Sequence, residues 1–171
     1  DFSDITSQIN AGDGLLIVCT IDSTTAPSAP TDNLTTTWAT GPSGGANGGS
    51  GSMFYKENAI GTESTLTFST NADGVIDFFI IYGKDPVTFV DASAGANHSS
   101  NIEATGVSIT TTTANTCVIR ALCLDGGRVP TYSGRGRRYV EAQGELVTTV
   151  SRSIVSYNQE TAGVDTEGKW I

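Results

Sequence analysis

Short apolar and β-branched runs recur along this chain, and turn residues separate them. Residues 15–19 form an unbroken apolar run, which is typical of a strand covered on both faces. Residues 75–82 form the most strongly β-prone segment. No stretch keeps a 3.6-residue apolar period with a cap at each end, so little helix is expected. Further strands are predicted at residues 35–38, 53–56, 65–68, 107–109, 117–124, 146–157 and 169–171.

Turn signals lie at short intervals between these runs, at residues 71–74, 83–86 and 125–127. Many short strands without alternating helices predict an all-β fold, built as a single antiparallel β-sandwich of jelly-roll or immunoglobulin-like type. An up-and-down barrel is the alternative. We expect one domain spanning residues 1–171, and we interpret the glycine-rich residues 41–52 as a flexible surface loop.

The same pattern predicts the core. Phe78 and Phe79 are adjacent and point to opposite faces of their strand, so a strand covered on both sides would bury both. Trp38 ends a β-prone segment and is also interpreted as a core residue. The side chains expected to be among the most buried are Phe78 or Phe79, Ile80, Ile17, Leu122 and Phe68.

Composition and charge narrow the class of protein. Charged residues make up 16% of the chain, too few for a coiled coil, and 37% hydrophobic residues argue against disorder. The net charge of -9 argues against a nucleic-acid partner, because phosphates would repel the chain. No apolar run approaches the roughly 20 residues of a membrane helix, so no membrane is expected as a partner. Residues 1–4 are acidic and lack an initiator Met and a targeting signal, which indicates processing or numbering that starts inside a longer chain.

The chain has 3 cysteines, an odd number, so at least one is unpaired within it. Cys117 and Cys123 lie in one predicted strand, where their Cα atoms would be roughly 20 Å apart and beyond disulfide reach. Cys19 could meet one of them only across the core. All three are interpreted as small buried apolar residues.

Signals for catalysis are weak. Residues 41–45 match the pattern G-x-S-x-G around Ser43, but that motif needs a strand before it and a helix after it. His98 shares a loop with Asp91 and Ser93, whereas a catalytic triad draws its members from rigid, separate elements. We therefore predict no catalytic residue, and a hydrolase that uses Ser43 or His98 is the least favoured hypothesis.

Metal ligands are not predicted either. Cysteine and histidine show no zinc-ligand spacing. Asn71, Asp73 and Asp77 resemble part of a calcium loop, but the further carboxylate and the flanking helices of an EF-hand are missing. A hairpin turn at residues 71–74 is the favoured interpretation, and no metal ion or other cofactor is expected.

The most unusual local feature is a basic stretch in an otherwise acidic chain. Arginine side chains suit the recognition of carboxylates, and this segregation of charge favours head-to-tail pairing with copies of the chain or with an acidic partner. We predict an exposed loop that binds a partner, and a solvated hairpin tip is the alternative. The candidate partner-binding residues are Arg128, Tyr132, Arg135, Arg137, Arg138 and Tyr139.

The order of several short motifs gives a further indication of class. These motifs are Gly12-Asp13, residues 15–18, Trp38, Tyr55-Lys56, and residues 65–68, 80–83, 85–87, 91, 110–113, 117–124 and 168–170. Over residues 12–171 this order resembles a β-sandwich module seen in appendage, fibre and decoration proteins of tailed bacteriophage virions. The glycine-rich segment after Trp38 and the arginine-rich stretch depart from that pattern, and the family supplies no catalytic residues.

The resemblance implies a non-enzymatic viral structural protein, a capsid decoration or a tail or fibre component at the extracellular virion surface. Its partners would be other virion proteins or copies of itself in a homo-oligomer. The alternative is a carbohydrate-binding or adhesion module of β-sandwich type that binds a host-surface glycan. That alternative requires two or more aromatic side chains exposed together on one sheet face or among the loops at one end.

Overall fold

The computed structural model of the chain is built from strands. It describes residues 6–36, 38–46, 48–69, 72–85, 87–97, 104–125, 131–134, 137–140, 150–165 and 168–170. Among these residues only Thr6 has helical conformation, so the predicted all-β class is confirmed. The described residues contain no helix long and apolar enough to cross a membrane. The strands are β1 (Gly14–Ile21), β2 (Thr31–Asp32), β3 (Ala39–Ala46), β4 (Gly49–Lys56), β5 (Leu66–Thr67), β6 (Gly74–Ile81), β7 (Ala104–Thr105), β8 (Ile109–Thr111), β9 (Thr116–Asp125), β10 (Tyr132–Ser133), β11 (Arg137–Val140), β12 (Val150–Gln159), β13 (Gly163–Asp165) and β14 (Lys169–Trp170).

The largest sheet has four antiparallel strands in the order β3-β4-β1-β6. Its central strand β1 pairs with β4 on one side and with β6 on the other, so that Ile17 lies opposite both Phe54 and Phe78. Every residue of β1 is buried, because neighbouring strands cover its edges and other segments cover both of its faces. The prediction that residues 15–19 form a strand covered on both faces is therefore confirmed.

One face of this sheet carries the main hydrophobic core. Alternate side chains of β1 point to the same face and pack together there. Trp38 is only 2% exposed and contacts the ring of Phe78 edge-on, which confirms it as a core residue. The buried members of this core are Ile9, Leu15, Ile17, Cys19, Ile21, Trp38, Phe54 and Ala59.

The predicted list of most buried side chains is correct only for Ile17, which is fully buried. Phe78, Phe79 and Ile80 are half-buried because β6 is the outermost strand of its sheet in the described part of the chain. Phe68 and Leu122 are also half-buried and pack at the margins of two separate clusters. Residues 35–38 are not in a strand where they are described, and Thr35 adopts a positive φ of 57°.

A second sheet has the antiparallel order β11-β12-β9, with β9 and β12 paired over ten residues. It lies against the first sheet, because β4 and β1 contact β9 and β1 also contacts β12. Three small antiparallel sheets complete the described strands: β10-β14-β7, β13-β8 and β2-β5.

The cysteines lie on these two sheets, and no disulfide joins them. Cys19 is buried, and burial raises the pKa of its thiol to about 11. Cys123 is half-buried, and its sulfur accepts a hydrogen bond from Thr20 Oγ1 at 3.0 Å. Cys117 is exposed, so the prediction that all three are buried is wrong for this residue. Cys117 shares the face of β9 that carries Cys123, but it lies at the start of the strand, next to its first residue Thr116.

Residues 41–52 correct another prediction, because most of this glycine-rich stretch belongs to β3 and β4 rather than to a flexible loop. Its glycines allow close approach of other backbone segments. A Cβ added at Gly44 would lie 2.7 Å from the carbonyl oxygen of Ala96. A Cβ added at Gly51 would lie 2.8 Å from Cys123 Cβ and closer still to its sulfur. Glycine here serves packing between sheets, which composition alone does not distinguish from loop flexibility.

Gly51→Ala is expected to destabilise the fold by about 1–3 kcal/mol, since the added methyl group would push β9 away from β4. Urea denaturation at neutral pH measures this change. Gly41→Ala is the matched control, because a Cβ there would meet its nearest atom, the Met53 carbonyl oxygen, at 3.3 Å. Adding Cys123→Ala to Gly51→Ala removes the clashing sulfur and should restore part of the loss. Equal stability of Gly51→Ala and wild type would contradict this account of sheet packing.

Candidate functional site

A cleft of about 1070 Å³ lies between the two sheets. Its floor is the face of the first sheet opposite the main core, where Leu16 and Val18 of β1 lie beside Met53 of β4 and Phe79 of β6. One wall is β9. The other wall is the segment 92–97, which packs against β3. The floor is apolar, the wall formed by β9 carries mostly apolar side chains together with Arg120, and the segment 92–97 contributes small residues.

The cleft runs along the edge of β9. From β1 only the alternate residues Leu16 and Val18 line it, as expected where a strand presents one face. From β9 every residue from 116 to 124 lines it, including both sets of alternating side chains. A cavity that touches both sets lies beside the strand, so the outer edge of β9 borders the cleft.

The cleft is too large to be an empty cavity in solution. At about 24 cal/mol per Å³, a sealed empty cavity of this volume would cost about 26 kcal/mol, which exceeds the roughly 5–15 kcal/mol of a whole domain. The cleft is therefore filled in solution by water or by another molecule. Its volume lies just above the range of about 300–1,000 Å³ typical of sites for small ligands.

Aromatic side chains stand at one end of the cleft. The rings of Tyr55 and Phe89 lie 5.9 Å apart between centroids, and Lys84 Nζ lies 5.9 Å from the centre of the Phe89 ring. Phe89 also covers Gly14, where an added Cβ would lie 2.7 Å from Phe89 Cζ. Tyr82 is 60% exposed and lines the same cleft.

A buried charge cluster lies at the wall formed by β9. Arg120 is only 8% exposed, and its Nη2 lies 2.7 Å from Asp165 Oδ2. Its Nε donates to the hydroxyl oxygen of Tyr157 at 2.8 Å, and its Nη1 donates to the carbonyl oxygen of Val107 at 2.9 Å. Burial and the hydrogen bond that Tyr157 donates to Asp165 raise the pKa of Tyr157 to about 12. The Arg120 cluster, which is Arg120, Asp165 and Tyr157, joins β9, β12 and β13.

A second buried charge cluster lies away from the cleft. Lys56 Nζ lies 2.8 Å from Asp32 Oδ2 and 2.8 Å from Glu63 Oε1, and both carboxylates are almost fully buried. Asp32 accepts further hydrogen bonds from Leu34 and Thr36. We call Asp32, Lys56 and Glu63 the Lys56 cluster.

Hydrogen bonds decide the pKa values of this cluster. Burial alone would raise the pKa of Asp32 and Glu63, but the hydrogen bonds from Lys56 and from neighbouring groups outweigh it and lower both values. Glu63 accepts from the backbone N–H groups of Ile60, Gly61 and Thr62. All three side chains are therefore charged, and their ion pairs connect β2, β4 and the segment around Glu63.

Neither the Arg120 cluster nor the Lys56 cluster was predicted from the sequence. A signal existed for Arg120, because it interrupts an otherwise apolar run in β9. None existed for Lys56, because Asp32 and Glu63 lie 24 residues before it and 7 residues after it in the chain.

The predicted partner-binding residues do not form one exposed loop. Arg137, Arg138 and Tyr139 belong to β11, where Arg137 lies opposite Ser156 and Arg138 opposite Val155 in β12. The prediction of a loop is wrong for Arg137 and Arg138, because this segment pairs with β12 of the second sheet. Tyr132 is half-buried against the ring of Trp170, with centroids 5.1 Å apart. Arg128 and Arg135 lie outside the described residues.

The candidate catalytic residues are only partly described, and Ser43 lies beside the segment 92–97. Ser43 lies within β3 and not at a strand-to-helix turn, and His98 lies outside the described residues. Asp91 accepts hydrogen bonds from Thr112 and Thr113, which anchors its loop to the turn after β8.

The residues of the calcium alternative are only partly described, because Asn71 lies outside the described residues. Asp77 lies in β6, and Asp73 lies just before that strand and accepts the N–H of Asp22 at its carbonyl oxygen. In the described ranges, no group of three His, Cys, Asp or Glu side chains could hold a metal ion.

Comparison with known proteins adds no relative, because no family model, no curated protein and no solved structure matches this chain.

Proposed function

We propose that this chain is a non-enzymatic structural protein of a virion surface, a decoration or a tail or fibre component, that works by binding other proteins or copies of itself. The assignment to virions rests on the motif order and its resemblance to proteins of tailed bacteriophages. The confirmed all-β fold is compatible with that class.

One observation favours a structural role over a catalytic one. Every buried charged side chain in the described part of the chain is engaged within the fold, in the Arg120 cluster or the Lys56 cluster. Catalytic groups are usually held with shifted pKa values in a cleft where a substrate can reach them. The Lys56 cluster lies away from the cleft, and Arg120 at the cleft wall is paired with Asp165, so both clusters join separate chain segments, as expected of structural ion pairs.

The basic stretch remains the proposed contact with a partner, now with part of it on a strand. Arg137 and Arg138 lie on β11, the outermost strand of its sheet among the described residues. Ion pairs at an exposed surface are worth about 0–1 kcal/mol each, so this stretch would set register and association rate more than affinity.

The test is the mass of the purified chain by light scattering after size-exclusion chromatography, at low and at high salt. We expect a defined oligomer at low salt that dissociates partly as salt screens the charges. The triple variant Arg135→Ala, Arg137→Ala, Arg138→Ala should shift the equilibrium to the 17.7 kDa monomer. Lys84→Ala is the control for a lost positive charge elsewhere. The proposal would be contradicted by a wild-type chain that stays monomeric at both salt concentrations and does not co-sediment with virions.

A carbohydrate-binding role is the second candidate, and the aromatic end of the cleft favours it. Tyr82 is exposed and lines the same cleft as the half-buried, mutually contacting Tyr55 and Phe89, and aromatic side chains of this kind are what such modules need. Tyr82→Ala should then abolish retention on a glycan array without changing the melting temperature. Absence of any glycan signal from the wild type would remove this candidate.

A further inference from the structure

The Lys56 cluster places an amine against two carboxylates in a site that excludes water. Lys56 Nζ lies 2.8 Å from Asp32 Oδ2 and 2.8 Å from Glu63 Oε1. The side chains of Asp32 and Glu63 are 0% and 1% exposed, and that of Lys56 is 12% exposed. Buried lysines are among the side chains that proteins use as nucleophiles.

The amine lies close to the carbon of Asp32 that it would attack. Cγ is one bond of about 1.2 Å from Oδ2, so Lys56 Nζ lies at most about 4 Å from Cγ. Reacting atoms need a separation of about 3–3.5 Å, which a small movement of the Lys56 side chain provides. Such fixed proximity favours a condensation that free amines and carboxylates do not undergo in water.

Backbone groups are aimed at the other carboxylate oxygen of Asp32. Oδ1 accepts the N–H of Leu34 at 2.9 Å and the N–H of Thr36 at 3.2 Å. Two N–H donors on one oxygen form an oxyanion hole, which stabilises the tetrahedral intermediate of acyl transfer. Oδ1 is therefore placed to stay as the carbonyl oxygen of a product, and Oδ2 is placed to leave.

The Thr36 hydroxyl connects the amine to the leaving oxygen. Thr36 Oγ1 accepts from Lys56 Nζ at 3.1 Å and donates to Asp32 Oδ2 at 2.7 Å. A proton can thus pass from Nζ to Oδ2 either directly, over 2.8 Å, or through this hydroxyl. The three N–H groups of the ammonium therefore have two routes to Oδ2 and one contact with Glu63.

We propose that Lys56 and Asp32 condense in the folded chain to an amide bond between their side chains, with loss of water. Nζ passes one proton to Oδ2, attacks Cγ with the lone pair that this frees, and shifts the C=O electron pair onto Oδ1. A second proton passes from Nζ through Thr36 to Oδ2. The pair on Oδ1 then re-forms the carbonyl while the Cγ–Oδ2 bond breaks. Oδ2 leaves with both protons as water, and the remaining N–H still donates to Glu63.

Glu63 stabilises the positive charge that Nζ carries after the attack, because its carboxylate contacts that atom. The backbone N–H groups of residues 60, 61 and 62 hold this carboxylate in place. The Arg120 cluster cannot react in this way, because a guanidinium group keeps its proton in proteins and is no nucleophile.

The bond forms slowly and is then protected. Burial alone would lower the pKa of Lys56, but its hydrogen bonds to Asp32 and Glu63 outweigh burial and raise that pKa. Little neutral amine is present, so a chain that has just folded holds the ion pairs. Condensation removes two buried charges, and hydrolysis would need water at a carbon that the fold shields. The product joins β2 covalently to the last residue of β4, and it does not rest on the proposed function.

The mass of the intact chain tests the bond, because the linked chain is lighter than its sequence by one water molecule. A chain kept in urea from synthesis onward starts unlinked, and dilution starts folding. We expect the mass to fall by one water molecule during incubation of the folded chain and to stay constant in urea.

Trypsin digestion of the unfolded product locates the bond. Lys56 is the first Lys or Arg in the chain, so unlinked chain yields peptides 1–56 and 57–84. An amide on Nζ blocks that cleavage, so linked chain should yield residues 1–84 as one peptide, lighter by one water molecule. An aspartyl succinimide also loses water, but it leaves Lys56 cleavable. Lys84, which donates to Asn58 Oδ1 at an exposed site, is the internal control and should stay unlinked.

Variants separate the chemistry from folding. Lys56→Arg keeps a positive charge between the carboxylates but should keep its full sequence mass. Glu63→Gln and Thr36→Val should each slow bond formation about a hundredfold, through the lost charge and the lost proton route. Thr31→Val, at an exposed position of β2, is the control and should leave the rate unchanged. Melting temperatures of freshly folded chains show which variants keep the fold, and the wild-type mass needs no variant.

Three results would overturn the inference. One is a wild-type mass that still equals the sequence value after about a week in the folded state, which means a rate below about 10⁻⁶ per second. Another is loss of water that leaves Lys56 open to trypsin. The third is equal rates in wild type, Glu63→Gln and Thr36→Val, which would contradict the roles of both side chains. None involves oligomer mass or virions, so this inference and the proposed function can fail separately.

Discussion

Lys56→Met is expected to lower the free energy of unfolding by about 3–5 kcal/mol at pH 7, because it leaves two buried carboxylates without a countercharge. The Asp32 and Glu63 side chains are 0% and 1% exposed, so water cannot replace the lost ammonium group. Urea denaturation measures the effect. Lys84→Met is the control, since Lys84 bonds only to the exposed amide of Asn58 and contacts the Phe89 ring.

The dependence of this loss on pH separates charge from packing. Hydrogen bonds hold the pKa values of Asp32 and Glu63 below their ordinary values of about 3.9 and 4.3. Their contribution to wild-type stability is therefore fully present above those ordinary values, and it is lost as pH falls through the lowered folded ones. The gap between the stabilities of wild type and Lys56→Met should narrow as pH falls below about 4. A gap that stays constant with pH would mean that the methylene packing of Lys56, and not the carboxylates, accounts for the loss.

Asp165→Asn should be comparably destabilising, by about 3–5 kcal/mol, because it leaves the guanidinium of Arg120 buried without a countercharge. Tyr157→Phe keeps the ion pair and removes only the hydrogen bonds of the hydroxyl, so about 1 kcal/mol is expected for it. Thermal and urea denaturation of both variants measure the two effects. Equal losses would contradict the assignment of the ion pair as the main contribution.

Alkaline titration gives a second readout of the same cluster. The folded pKa of Tyr157 is raised to about 12. Its contribution is fully present below the ordinary tyrosine value of about 10 and is lost as pH rises through the folded value. In ultraviolet absorbance titration, one of the 5 tyrosines should ionise later than the others. Asp165→Asn should move that late ionisation to lower pH, since the accepting carboxylate is gone. A titration curve unchanged by the substitution would disprove the hydrogen bond to Asp165 as its cause.

The sequence predicts strand content well because local pattern carries that information. The apolar run in β1 and the alternation in β5 need only neighbouring residues to be recognised. The position of a strand within its sheet, in contrast, cannot be predicted from local pattern. The apolar run in β6 looks as central as that in β1, yet β6 is outermost, because the number of partners depends on how distant segments pair.

The glycine-rich residues 41–52 show a second limit of structure prediction from sequence. In β3 and β4 glycine permits close contact with Ala96 and Cys123, which lie 52 and 72 residues further along the chain than Gly44 and Gly51. No local window contains that contact. The candidate site has the same character: the cleft, the Arg120 cluster and the Lys56 cluster are all formed by residues far apart in sequence. Only the interruption of an apolar strand by Arg120 indicated any of them.

Full burial of β1 has a consequence for synthesis of the chain on the ribosome. The strand contains no charge and no proline, and its outer partner β6 ends at Ile81. At about 5–20 residues per second, the chain from Ile21 to Ile81 takes roughly 3–12 s to make. During that interval Gly14–Ile21 is an uncharged, β-prone segment of the kind that self-associates into cross-β structure. The strand on which the folded molecule is centred is thus also a nascent segment that a chaperone would protect from association.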